Sequence, residues 1–189
     1  MVSWSNDVAI RGLSGSTATL INIAGTTARI DQGVVTQSSF SAGVDSPALS
    51  VGSEAEVTFS SLRCGETACI TANGTNIEIH SNRLSGTGGA GVLLSQGSEV
   101  AVTHNLFINA GIGLTGNDHF IAHNTVSGDL ISTIGSGNVV EASIVQNPSG
   151  TGIRFQQDGN FYGNNRVSAQ TPFDLGDTTQ TDWGGNVSF

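Results

Sequence analysis

Few residues in this chain could do chemistry, and the densest cluster is GNDHFIAHNT, residues 116–125, with Asp118, His119 and His123 between Asn117 and Asn124. On a helix, two histidines at i and i+4 would share a face and could hold zinc. On an extended strand the same spacing is roughly 13 Å, too far for one metal whose ligands sit at about 2 Å. The glutamate of a His-Glu-x-x-His site is also missing. His104 precedes Asn105 as His123 precedes Asn124. In a stacked repeat the two imidazoles would come within about 4.8 Å of each other. Ser81 and Ala142 continue that column and supply no third ligand, so no metal site is expected.

A second group lies further on. Arg154 and Asp174 are 20 residues apart, with Gln156 and Asp158 close behind Arg154. A guanidinium can hold a sugar carboxylate through two parallel hydrogen bonds, and a neighbouring carboxylate can orient it or accept a proton. Arg154, Gln156, Asp158 and Asp174 are therefore the candidate substrate-binding residues, with a surface ion pair among turn acids as the alternative. No catalytic residue is assigned. Cys64 and Cys69, in RCGETAC, could close a small disulfide loop or remain two free thiols.

Whether these groups converge depends on the elements that carry them. Apolar pairs before a glycine or a small polar turn recur as LINIAG, ALSVGS, CITANG, GVLLSQG, GIGLTG, ISTIGSG, GIRFQQDG and PFDLGD. Their second apolar positions are Ile23, Val51, Ala72, Leu94, Leu114, Ile134, Phe155 and Leu175, at steps of 28, 21, 22, 20, 20, 21 and 20 residues. A second column holds Ile30, Phe59, Ile79, Val102, Ile121, Val140 and Tyr162. Three residues on stand Asn82, Asn105, Asn124, Ser143 and Asn165, followed by Leu84, Phe107, Val126, Val145 and Val167. Each repeat thus has three short segments of period 2, which reads as strand. Strands this short are stable only if each pairs with its copy in the next repeat over a shared core.

The expectation is an all-β fold, a single-stranded right-handed parallel β-helix (solenoid) of about eight coils of ~21 residues. It should cover residues 1–175, with an N-terminal end that looks truncated, and residues 176–189 should cap the other end, Trp183 closing the last coil. Asn82, Asn105, Asn124, Ser143 and Asn165 should form a structural ladder at a tight turn, where asparagine tolerates the left-handed conformation and its amide can bond along the stack. Alternation points His119 inward, and a bulge that lets Phe120 take its place is expected. The outer row beside the Val51–Leu114 column reads Asn22, Ser50, Thr71, Leu93, Gly113, Thr133, Arg154 and Asp174, mostly small and uncharged.

The pattern I-x-I-x-x-N-x-[ILV], a turn, then G-[IV]-x-L resembles the right-handed parallel β-helix repeats of the pectin-lyase-like superfamily. IEIHSNRL with GVLL, VAVTHNLF with GIGL and NFYGNNRV with PFDL carry it best, over residues 77–175. The resemblance implies the fold. It does not imply one activity: the paired aspartates and Gly-His-Gly of polygalacturonases, the Asp-Pro-His-Asp of mannuronan epimerases and the Asp-x-Asp clusters of pectate lyases are all missing. Whether this segment is an enzyme stays open.

Composition narrows the partners. Six arginines and no lysine stand against fifteen acidic residues, for a net charge of −9. Such a chain lacks the clustered positive field that nucleic acid or anionic lipid requires. No apolar run is long enough to span a membrane. The sequence is compatible with a secreted or cell-surface β-helix that binds or positions carbohydrate, with a polysaccharide lyase or epimerase domain for an acidic glycan, or with a structural spacer or tailspike-like shaft. An extracellular, cell-surface or periplasmic location is expected, although the chain starts without a signal peptide. No cofactor is expected, Ca²⁺ entering only if the ligand is an anionic polysaccharide. The oligomeric state is not readable.

Overall fold

The computed structural model describes residues 2–4, 8–10, 17–19, 21–24, 28–30, 33–41, 47–87 and 91–189, with side-chain environments for residue 30 and for residues 33–41, 47–87, 91–92 and 97–189. Among the described residues there is no helix; the chain is a parallel β-solenoid of three sheets. The coil at residues 83–103 shows the plan. Arg83–Ser85 lies in sheet 1, and one continuous strand, Val92–Thr103, supplies residues 92–94 to sheet 2 and 101–103 to sheet 3. Every strand pairs in parallel with its copy one coil away. In sheet 3 the chain of pairs runs unbroken from Thr17–Thr19 to Thr181–Asp182, nine stacked strands among the described residues, slightly different from the eight coils expected.

Side chains alternate as the pleat requires. Sheet 1 turns Phe40, Leu62, Leu84, Phe107, Val126, Val145 and Val167 inward, all in register. Sheet 3 contributes Val35, Val57, Ile79, Val102, Ile121, Val140 and Tyr162. Together with sheet 2 they form one continuous core. No coil could bury these residues alone, so stability resides in the stacking.

Two corners follow the same rule. Between sheets 3 and 1 the chain bends at a residue of positive φ: Gln37, Phe59, Ser81, His104, His123, Ala142 and Asn164. The next residue points inward and bonds along the stack. Ser38 N donates to Ser60 Oγ, Ser60 N to Asn82 Oδ1, Asn82 N to Asn105 Oδ1 and Asn105 N to Asn124 Oδ1. Asn124 N then donates to Ser143 Oγ, Ser143 N to Asn165 Oδ1 and Asn165 N to Asn186 Oδ1, so the ladder has eight rungs. The asparagine Nδ2 groups also cap strand carbonyls, as Asn105 does at Ile79 O, 2.8 Å.

Between sheets 2 and 3, Glu54, Asn76, Glu99 and Asp118 have positive φ, followed upward by Gly137 and Gly159. Here too the next residue turns in. It is apolar at Ala55, Ile77 and Val100, and polar at His119, Asn138 and Asn160. The polar three form a second ladder: Val100 N donates to His119 Nδ1 at 3.3 Å, His119 N to Asn138 Oδ1, Asn138 N to Asn160 Oδ1 and Asn160 N to Gln180 Oε1.

Several expected positions move. His119 is buried and Phe120 is 40 % exposed, with no bulge between them, because His119 fills a ladder rung. Thr133, not Ile134, points inward beside Leu114 and Phe155, so the outward residue next to Arg154 is Ser132. Val57, not Phe59, is the inward residue of its strand, and Phe59 occupies the corner, 64 % exposed. Ile23 pairs with Phe40 in sheet 1, while Ile30 is the partner of Val51 in sheet 2 and Arg29, not Asn22, is in register with Ser50. Leu94 is in register with Leu114, but its side chain lies outside the described residues. Residues 176–189 carry one more rung, since Thr181–Asp182 and Val187–Ser188 pair with the coil before. Trp183 is half exposed and stacks on Phe161 at 5.3 Å.

Candidate functional site

Sheet 2 brings Arg154 and Asp174 side by side on adjacent coils, and Arg154 Nε donates to Asp174 Oδ2 at 2.8 Å. Arg154 Nη2 donates to Thr151 Oγ1 at 3.3 Å. Gln156 does not join them: its Nε2 donates to Ser132 Oγ at 3.2 Å. Asp158 stands apart, accepting from Thr179 N at 2.6 Å in the turn beyond. Arg154 and Asp174 are thus joined directly, while Gln156 bonds to Ser132, the register neighbour of Arg154, and Asp158 to the next turn. The guanidinium has a carboxylate on one nitrogen and a hydroxyl on another, and the surrounding row is small and uncharged. A half-exposed pair of this kind contributes about 0–1 kcal/mol to stability.

The histidines of the opening run separate as well. His119 is sealed in the second ladder, with Nδ1 accepting from Val100 N; Nε2 therefore carries the proton and finds no partner at hydrogen-bonding distance. Desolvation lowers its pKa, outweighing the Thr115 carbonyl and the Asp118 charge that act in the opposite direction. His123 is exposed, and its ring stacks on His104 with centroids 4.8 Å apart and planes 23° from parallel. Among the described residues no three metal-ligating side chains come together. Cys64 and Cys69 are joined in a disulfide across the loop between sheets 1 and 2, with Cα atoms 4.8 Å apart.

A concavity lies elsewhere, along the corner between sheets 3 and 1. An open groove of about 980 Å³ crosses five coils, with the positive-φ residues Gln37, Phe59, Ser81, His104 and His123 along it and Arg83 at its edge. Four coil spacings give it a length of roughly 19 Å. The bend forces this geometry. A left-handed residue at each corner turns the inward side chain of the next position to the ladder and leaves its own side chain outside. Among the described residues no acidic side chain lines the groove, although the chain carries −9 overall. Its surface combines the Phe59 ring, the two stacked imidazoles, the Arg83 guanidinium and several hydroxyls. Phe59 also meets His80 edge-on, with centroids 6.1 Å apart.

Sequence reasoning placed Phe59 in an apolar column and weighed His104 and His123 only as a metal pair, so it missed this groove. The signal was available in one respect: each corner residue directly precedes a ladder residue, so its side chain had to face out.

The family model for the right-handed β-helix region matches residues 6–137 of the chain. No curated protein and no solved structure matches it. With the three parallel sheets, the stacked corners and a match over most of its length, the chain belongs to the right-handed β-helix family.

Proposed function

We propose that this β-helix binds carbohydrate, and that the ligand lies along the corner groove rather than over sheet 2. The observation that carries the reading is Phe59, a ring 64 % exposed in an acid-free groove beside two stacked imidazoles. Flat apolar faces of this kind pack against the C–H face of a sugar ring, and hydroxyls and a guanidinium around them fix orientation. Arg83 gives the groove a cation that can hold a uronic acid carboxylate directly. The overall negative charge then does not require a Ca²⁺ bridge, because the local field decides. The disulfide supports an extracellular, cell-surface or periplasmic location, since such bonds persist in oxidising compartments.

The test is a glycan array probed with and without Ca²⁺, with the particle mass measured alongside. Neutral and uronic oligosaccharides should both be retained without Ca²⁺. Phe59→Ala should weaken binding by about tenfold or more at an unchanged melting temperature, in keeping with loss of one aromatic contact. Arg83→Ala should affect only the acidic ligands. Loss on Arg154→Ala with Phe59→Ala silent would move the site to sheet 2. A parent chain that retains no glycan would overturn the reading and leave a structural spacer or shaft.

A further inference from the structure

One cluster beside the groove has a geometry that binding alone does not use. Glu56, Thr58 and His80 lie on the outer face of sheet 3, where Glu56 pairs with Glu78 and Thr58 with His80. His80 Nε2 is 3.0 Å from Glu56 Oε1. A carboxylate only accepts, so in neutral His80 the proton sits on Nε2 and the Nδ1 lone pair is free. Two hydroxyls face that lone pair: Thr58 Oγ1 at 3.2 Å and Ser81 Oγ at 3.4 Å. Thr58 is buried, whereas Ser81 is half-buried and lines the groove. The corner conformation of Ser81, φ 58°, directs its side chain to that side.

We propose that Glu56, His80 and Ser81 form an acid–base–nucleophile triad that hydrolyses small acyl esters presented in the groove. This activity goes beyond glycan binding and stands without it. Ser81 Oγ attacks the ester carbonyl carbon while His80 Nδ1 takes its proton; Glu56 holds the imidazole in the required tautomer and stabilises the imidazolium. The carbon–oxygen bond to the alcohol breaks as the proton returns from Nδ1 to the leaving oxygen. Water then attacks the acyl-Ser81 ester, giving its proton to Nδ1, and the acid departs as Ser81 Oγ is reprotonated. The backbone amides of the corner are committed to the stack, Ser81 N to Thr103 O, Asn82 N to Asn105 Oδ1 and Arg83 N to Ser60 O. Arg83 is therefore the donor that must balance the developing oxyanion. A flexible guanidinium is less preorganised than an amide pair, so turnover should be slow and the acyl-enzyme easy to trap.

The folded chain is treated with a fluorophosphonate probe and the adduct mapped by mass spectrometry, and hydrolysis of p-nitrophenyl acetate is followed in parallel. The expected result is one adduct, on Ser81, lost when the chain is unfolded before exposure. Ser81→Ala and Ser81→Asn should both abolish labelling and lower kcat by about a hundredfold or more. The second variant guards against a folding defect, since asparagine already occupies the equivalent corner at Asn164. His80→Ala should match them. Glu56→Gln should lower kcat by about tenfold with KM unchanged, as an orienting group does. Ser127→Ala, on the outside of sheet 1, should behave as the parent. An unlabelled chain, an adduct at another residue, or hydrolysis that survives in both Ser81 variants would overturn the proposal and reduce the three side chains to a hydrogen-bonded strut. That result would leave glycan retention on the array untouched, so the two readings fail separately.

Discussion

His119 and Asn124 show what a single ladder residue contributes. Asn124 bonds in three directions: Oδ1 accepts from Asn105 N, Nδ2 donates to Val102 O, and its own amide donates to Ser143 Oγ. Asn124→Ala removes the first two and leaves a buried amide and a carbonyl unpaired. It should cost about 1–3 kcal/mol, read from denaturant midpoints, without weakening any glycan contact per folded molecule. His119 does the same work with a group that titrates. Its folded pKa is depressed by burial below the ordinary 6.5. The unfolded chain therefore binds the proton first. Stability from this site is fully present above about pH 6.5 and is lost as pH falls below it, toward the lowered folded pKa, at up to about 1.4 kcal/mol per pH unit. Protonation would also set a donor at Nδ1 against the Val100 amide. His119→Asn, which copies Asn138 one coil on, should flatten the decline in melting temperature between pH 7 and pH 5. A decline as steep as the parent's would show that the acid response comes from the carboxylates instead.

At the scale of the element, the inward rows act as continuous stacks, and Leu114 sits in the middle of one at 1 % exposure. Leu114→Ala should destabilise by about 2–5 kcal/mol through lost transfer energy and a cavity that rigid neighbouring coils cannot collapse, measured by chemical denaturation. The stacks were readable in the sequence wherever hydrophobicity and strand register agree, as at Leu84, Phe107 and Val126. They were misread where the two conflict. Phe59 and Ile134 are large and apolar yet face out, while Thr133 and His119 are polar yet face in. Register wins because a one-residue slip would turn every side chain of the strand to the wrong face. The second ladder was legible in principle: His119, Asn138 and Asn160 each stand five residues before Asn124, Ser143 and Asn165. The groove was not, because it takes one residue from each of five coils and no local motif marks it. The Glu56–His80–Ser81 contact was hidden for a similar reason, as it crosses from one coil to the next.

On the scale of the molecule, each described strand pairs only with its copies in adjacent coils, so cohesion is distributed along three sheets. The loop from Cys64 to Cys69 interrupts that regularity, with Glu66 exposed at its tip between the two bonded cysteines. A protease that cuts at Glu66 would sever the backbone but not the molecule. The two fragments would stay joined through sulfur, and the hydrogen-bonded rungs above and below would hold them in place. Digestion at that point should leave one band on a non-reducing gel, two on a reducing gel, and an unchanged circular dichroism spectrum. The loop thus gives the rod a place where it tolerates damage: a clip there is silent for as long as the surroundings remain oxidising, and becomes a weakness only after reduction.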